Sequence, residues 1–422
     1  MTLTLDVYFH NVYFHNVFLQ AKLVGKLHQK KSGKLKFCYD ADYLNANLPG
    51  ISLSLPPRVE AYEGQSVKIF FSGLLPDENE KQRLAAYLGL SEDNAFALLK
   101  EVGGDCAGAL ALYPEGQVPS ASTNDNDVKI LDDNQLKEIL EKIKRYPMLA
   151  GEDGYRLSLA GAQSKLAVGF EDGRVQLMKG GAPTTHILKP FIGHIDDSAH
   201  NEFFCMKLAK RMGIDVPEVF LHFVNDTPYY LIERYDRQRT DDGTVWRIHQ
   251  EDFCQALSIA PEMKYEREGG PSIAKCQALI SRHTMRPAVD QLNFMNRVIF
   301  NYLIGNADAH GKNFSLLYRQ KKPEFAPAYD MLSTAIYPDL SSKMAMKIGE
   351  EYDPQKVYLR HFYKTFATTK TAQNAFNKQK KQITDLINDE AVKLKQELER
   401  QHSKVFDAIL TVIQQRSRHL QL

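Results

Sequence analysis

Asn306-Ala307-Asp308-Ala309-His310-Gly311-Lys312-Asn313, followed downstream by Tyr329-Asp330-Met331-Leu332-Ser333, decides how this chain is read. It sets an Asp, an Asn five positions on, and a second Asp after a span that reads as paired strands. Moving a phosphoryl group from a nucleoside triphosphate to a hydroxyl needs one carboxylate to orient the hydroxyl and take its proton. It also needs an amide oxygen and a second carboxylate to hold magnesium on the phosphates. The Asp308-to-Asn313 spacing is that of a kinase catalytic loop, although the flanking residues depart from the His-Arg-Asp form. A surface turn rich in Asn, Asp and Gly is the plain alternative. Against it, residues 298–305 read as an apolar helix and 314–318 as a strand, with 325–330 a second strand returning Asp330 beside Asn313. The polar cluster is therefore held between buried elements.

Outward from this loop, His186-Ile187-Leu188-Lys189-Pro190 places a Lys inside an apolar strand. Burying that ammonium is costly unless an anion pairs with it. Phosphates and Glu202, at the start of the next predicted helix, are the available partners, and a strand Lys paired to a helix Glu is the kinase grip on the α- and β-phosphates. Arg156 to Val168 reads as strand, small-residue turn, strand. In it Ala160, Gly161 and Ala162, continuing through Gln163, Ser164 and Lys165, would let backbone N–H groups approach a phosphate. The run fits neither standard glycine-rich phosphate motif, and taken alone an ordinary hairpin is the better reading of it. Residues 229–237, with Glu233-Arg234-Tyr235, form an apolar strand breaking into charge, the position of a hinge that reads an adenine edge.

The 422 residues suffice for two or three structural units. With 53 basic against 52 acidic side chains the net charge is +1, which argues against binding nucleic acid over the whole surface. Five scattered cysteines with no Cys-x-x-Cys pair suggest neither a disulfide framework nor zinc, and fit a reducing cytoplasm. No apolar run is long enough to span a bilayer, so no membrane role is expected.

Val7-Tyr8-Phe9-His10-Asn11 recurs as Val12-Tyr13-Phe14-His15-Asn16 in a predicted strand. A five-residue step reverses which side chains face inward, so only one copy is expected to keep register. A turn at 31–34 precedes a strand at 35–39, and 51–55 alternates as a further strand ended by Pro56-Pro57. Helices are expected at 78–88, closed by Gly89, and at 92–102. The Ser/Thr/Asn/Asp/Pro-rich stretch 114–127 reads as a linker before an amphipathic helix carrying Leu136, Ile139, Leu140 and Ile143. A helix is expected at about 199–212, and helices from Trp246 on, ending in an outer helical hairpin over 371–422 with apolar positions such as Leu386, Leu398, Ile409 and Ile413.

Ten ordered motifs resemble the HipA family of bacterial toxin kinases. They are Ile51-Ser-Leu-Ser-Leu-Pro56, Gly73-Leu-Leu-Pro-Asp77, Glu101-Val-Gly-Gly-Asp-Cys-Ala-Gly108, Ser158-Leu-Ala-Gly-Ala-Gln-Ser-Lys165, Thr184-Thr-His-Ile-Leu-Lys189, Asn201-Glu202, Glu233-Arg-Tyr-Asp-Arg237, Gln250-Glu-Asp-Phe-Cys254, and the Asp308 and Asp330 segments. The resemblance implies an α+β, bilobal protein-kinase-like fold. A β-rich subdomain would occupy 1–113, the kinase N-lobe 114–238 and an all-helical C-lobe 239–422. It implies Asp308 as catalytic base, Asn313 and Asp330 as Mg2+ ligands, and Lys189 with Glu202 as the ATP phosphate grip. Ala160 to Lys165 would be the phosphate loop and Glu233, Arg234 and Tyr235 the hinge, with His310, Gly311, Lys312 and Tyr329 near the nucleotide. Ser158 matches the serine that members autophosphorylate, which expels the phosphate loop and shuts off ATP binding.

The resemblance further implies an aminoacyl-tRNA synthetase substrate, chiefly the glutamyl enzyme, and a HipB-like helix-turn-helix antitoxin that represses the shared operon. Operator DNA would be met only within that complex. The basic cluster Lys378, Lys380 and Lys381 reads as a solvated helix face. Ser164 departs from the family, which commonly has Glu there, and is a second candidate phosphosite or a neutral variant. A non-catalytic co-repressor and a small-molecule kinase are the alternatives, and the complete catalytic set and the N-terminal motifs count against them respectively.

Overall fold

The computed structural model describes residues 2–14, 17–120, 127–150, 155–193, 195–320, 322–367, 369–401 and 403–420. Long β-branched and aromatic runs form β1 (Leu3–Phe14) and β2 (Val17–Gln29), antiparallel, followed by β3 (Leu35–Tyr39) and the short β4 (Tyr62–Glu63). Helix α1 (Ala41–Asn45) lies between β3 and β4; α2 (Gln65–Ser72), α3 (Glu78–Leu88) and α4 (Ala95–Val102) come next, and β5 (Leu110–Pro114) then pairs with β1. Gly89, at φ 65°, ends α3 as expected, whereas α2 was not foreseen.

Both copies of the repeated pentapeptide bury their apolar residues, contrary to expectation. Val7, Phe9, Val12 and Phe14 all join the core, with the Phe9 and Phe14 rings 5.0 Å apart. Asn11 takes φ 46° between the copies, and this left-handed residue turns the pleat over so that a five-residue step returns to the same face. His15 and Asn16 lie outside the described residues. Residues 51–55 are a turn and not a strand, with Leu55 N–H donating to Ser52 O at 3.1 Å. The buried Glu251 carboxylate bends them by accepting from Ser52 Oγ (2.5 Å) and Leu53 N–H (2.9 Å).

The next layer holds β6 (Val128–Ile130), the amphipathic α5 (Asp133–Ile143), β7 (Leu166–Glu171), β8 (Arg174–Met178), β9 (His186–Pro190), α6 (Ser198–Arg211), β10 (Val219–Val224) and β11 (Thr227–Glu233). Its sheet runs β10-β11-β9-β7-β8-β6. Asp132 and Gln135 close a capping box on α5. Of the expected linker, residues 121–126 lie outside the described residues. Strands β12 (Arg237–Arg239) and β13 (Val245–Arg247) then return to the first sheet, where β13 pairs in parallel with β1. The first sheet thus draws strands from well beyond residue 113.

The remainder is helical in its framework but not all-helical. Strands β14 (His249–Asp252), β15 (Ser315–Tyr318) and β16 (Glu324–Phe325) form a small sheet beside α7 (Phe253–Ala256), α8 (Ile273–His283) and α9 (Pro287–Ile304). The strand expected over 325–330 stops at Phe325. Beyond it come α10 (Leu359–Phe366), α11 (Lys370–Glu397) and α12 (Lys404–His419), the last two forming the terminal hairpin. Ile409 and Ile413 are buried in it while Leu386 is 46% exposed.

Candidate functional site

Helix α9 is buried at every position from Val298 to Ile304, so its end is rigidly placed. Gly305 ends it at φ 75°, where a Cβ would lie 2.7 Å from both Ala335 Cβ and Val412 Cγ1, so only glycine fits. The loop beyond is pinned by its own backbone. Asn306 Oδ1 accepts from Asp308 N–H (3.0 Å), Ala307 N–H donates to Thr334 Oγ1 (2.8 Å), and Asn313 N–H donates to His310 O (3.0 Å). Asp308 is half-buried on the cleft wall, and its carboxylate accepts from the Tyr265 hydroxyl at 2.5 Å. Burial raises its pKa above the ordinary carboxylate range.

Asn313 and Asp330 line the same cleft. Asn313 Oδ1 is buried with no hydrogen-bond partner, an acceptor left for something else. Asp330 sits at φ 53°, rare for a non-glycine residue, and its carboxylate pairs with Lys189. Lys189 also donates to Glu202 Oε1 at 2.7 Å, so one buried ammonium lies between two carboxylates. Burial pushes Glu202 up to about 7, while Lys189 and then Lys165 hold Asp330 well below the usual range against its own desolvation. Among the described residues no group of three His, Cys, Asp or Glu is arranged for a metal. A cation here would therefore take two protein ligands, Asn313 Oδ1 and Asp330, and complete its shell from phosphate oxygens and water.

The loop over the cleft is held from both sides. Lys165 Nζ donates to Ala160 O (2.7 Å), and Gly161, at φ 114°, has room for that ammonium only because it lacks a Cβ. Asp77 N–H donates to Gly161 O (3.1 Å). Ala162, Gln163 and Ser164 line the cleft on the Asp308 side, with Ser164 Oγ donating to Glu80 (3.0 Å) beside Arg83 (3.4 Å). Ser158 lies outside the cleft and is fully buried: its hydroxyl donates to Leu74 O (2.6 Å) and its N–H to Asp105 O (3.0 Å).

Glu233 and Tyr235 line the inner cleft, where the Tyr235 ring stacks on Tyr329 at 5.7 Å. Tyr329 hydroxyl donates to Lys312 O (2.7 Å), fixing it beside the Asp308 loop. Arg234 lines the cleft beside them. Its N–H donates to Thr185 O (2.9 Å), and its guanidinium turns inward to Asp236 (2.8 and 2.9 Å). Asp236 and Asp105 gather Arg234, Arg237 and Arg247 into a fully buried cluster. Gly311 lies off the cleft, packed where a Cβ would meet Pro271 and Cys254. Lys312 reaches the cleft but is paired with Asp77 (3.0 Å) and Asp252 (3.7 Å). Burial holds His310 neutral, down to about 3.

Three participants had no sequence signal of role. Asp77 and Asp105 lie in motifs that suggested no chemistry, and Tyr265 lies in none.

Residues 15–113 match the family model described as the HipA N-terminal domain, and 157–398 that of the HipA-like C-terminal domain. The chain belongs to the HipA family. Y4mE of Sinorhizobium fredii, a kinase by name, is 47% identical over 332 residues, 78% of this chain and 79% of that one. The serine/threonine-protein kinase toxin HipA of Shewanella oneidensis is 30% identical over 332 residues, 76% of this chain and 75% of that one. A solved structure of Shewanella oneidensis HipA with HipB and its operator DNA superposes with a TM-score of 0.82 at 25% identity, covering 98% of this chain and 97% of that one. This HipA-family chain is thus a toxin-kinase homologue with a kinase-like fold, and its kinase relatives imply use of ATP. Among the described residues no helix is long and apolar enough to cross a membrane.

Proposed function

We infer that the chain is an ATP- and Mg2+-dependent serine/threonine protein kinase, the toxin of a HipBA-type module. The observation that carries this is one cleft holding Asp308, the unpartnered Asn313 oxygen and the Lys189-paired Asp330. Asp308 orients the acceptor hydroxyl and takes its proton, and burial, by raising its pKa, makes it a better base. Asn313 Oδ1 and Asp330 would hold magnesium, which would supply charge neutralisation at the phosphates. Lys189 and Lys165 grip the phosphates, and the Glu233 carbonyl and Tyr235 N–H read the adenine edge, since the Arg234 N–H is already paired with Thr185.

Ser158 is the site of self-inactivation. Its hydroxyl faces a carbonyl oxygen in a fully buried pocket, so a phosphate of nearly two negative charges cannot return there. The phosphorylated segment stays out and the loop over the nucleotide is lost with it. The substrate is an aminoacyl-tRNA synthetase, most simply the glutamyl enzyme, and a HipB-like antitoxin joins the chain to operator DNA. The antitoxin and DNA assignment rests on the HipA–HipB–operator DNA assembly of the relative, and the synthetase on the resemblance to the family alone. Intact-mass analysis after incubation with ATP and magnesium should find one added phosphoryl group, absent in Ser158→Ala. An unmodified wild-type chain would point to a non-catalytic binder.

A further inference from the structure

We propose that Tyr265 is a residue of the acceptor site: its hydroxyl holds the place on Asp308 that the acceptor hydroxyl takes, and excludes water from it until an acceptor enters. This rests on the reading of Asp308 as catalytic base. Tyr265 O–H donates to Asp308 Oδ1 at 2.5 Å, the length an alcohol makes to a carboxylate. Among the described residues it is the one side chain donating to that carboxylate. A carboxylate drawn out of water must keep a donor, and an incoming serine hydroxyl replaces the phenol one for one.

The surroundings allow the exchange. Tyr265 is half-buried and lines the same open cleft as Asp308. Its ring meets the edge of His310 at 5.2 Å and the cations of Lys264 and Arg267 at 5.6 and 5.4 Å, with no other aromatic ring stacked on it. Its backbone, by contrast, is fixed: Tyr265 O accepts from Glu268 and Gly270 N–H, both at 2.9 Å. Side-chain rotation alone clears the position. Burial and the adjacent Asp308 charge raise the phenol pKa, so it remains a donor and not a competing nucleophile.

With the phenol removed, water can take its place. The water oxygen then bonds to the γ-phosphorus as the bond to the β,γ-bridging oxygen breaks, the water proton passes to Asp308, and ADP and phosphate leave. The test is steady-state ADP release from ATP and magnesium, without acceptor, by the full chain carrying Ser158→Ala. Adding Tyr265→Phe should raise ADP release about 5-fold or more, with an unchanged melting temperature, and adding Asp308→Asn should abolish the gain. No rise, a fall, or a rise that survives Asp308→Asn overturns the proposal. A Tyr that merely braces the loop predicts the fall. Separately, an Asp308→Asn chain with Ser158 intact that still autophosphorylates at the parent rate would sink the underlying reading and not this inference alone.

Discussion

Two clusters of buried charge lie close together in this molecule, and they are built to opposite ends. Beside residues 233–235, Asp105 and Asp236 meet Arg234, Arg237 and Arg247, and each charge has an opposite within the cluster. Both carboxyls stay ionised despite full burial, with Asp236 held at about 2 by Arg234 and Arg237 against its desolvation. In the cleft, one ammonium serves two carboxylates, Asn313 Oδ1 has no partner, Glu202 is pushed up to about 7, and Asp330 sits in a left-handed conformation. A cluster in which every charge meets its opposite holds segments together, even with Arg247 Nη1 left unpartnered, and a deficient one waits for a ligand to complete it. Asp105 also anchors the Ser158 segment: its carboxylate holds the arginines while its carbonyl accepts from the Ser158 N–H.

The contrast can be broken most forcefully at Asp105. Asp105→Ala leaves the buried Arg247 guanidinium without its carboxylate and should cost about 3–5 kcal/mol of stability in urea unfolding; a loss under about 1 kcal/mol would void the architectural reading. Asn313→Ala should do the reverse. Its oxygen has no partner to lose, so stability should change by less than about 1 kcal/mol, while phosphoryl transfer falls about 100-fold, or ~2.7 kcal/mol. Equal losses of stability and rate would make Asn313 structural. Gly161→Ala forces a Cβ onto Lys165 Nζ at φ 114°, and ATP affinity measured by calorimetry should weaken about tenfold, or ~1.4 kcal/mol. An unchanged affinity would remove the loop from the site.

The smallest effect expected is on pH dependence. Burial holds His10, His186 and His249 down at about 4 and His310 at about 3, so their contribution is full above the unfolded value of 6.5 and lost as pH falls toward 4. Glu202 and Glu251, pushed up to about 7 by burial, act in the opposite sense but are fewer. The melting temperature should therefore fall between pH 6.5 and 5. A rise would mean the cleft carboxyls dominate.

The sequence made the chemistry legible wherever one short segment carries it. Asp308, Asn313 and Asp330 could be picked out by spacing, and Lys189 by its cost inside an apolar strand. The helix end at Gly89 followed from glycine's freedom at positive φ. What stayed hidden depends on contacts between distant segments. Tyr265 meets Asp308 across 43 positions and Arg247 meets Asp105 across 142, and no local pattern encodes either approach. Residues 51–55 alternate like a strand, yet the Glu251 carboxylate, 199 positions from Ser52, draws them into a turn. The pentapeptide repeat was misjudged because one left-handed asparagine undoes the parity argument. Arg234 was assigned by its neighbourhood, and only its side chain's partners show that it faces inward.

The central claim is that the deficient cluster performs phosphoryl transfer with Asp308 as its base. Intact-mass analysis of wild type and Asp308→Asn, each incubated with ATP and magnesium, tests it most directly. Wild type should gain one phosphoryl group on Ser158, while Asp308→Asn should gain none and keep its ATP-induced rise in melting temperature. Equal phosphorylation of the two chains would contradict the account.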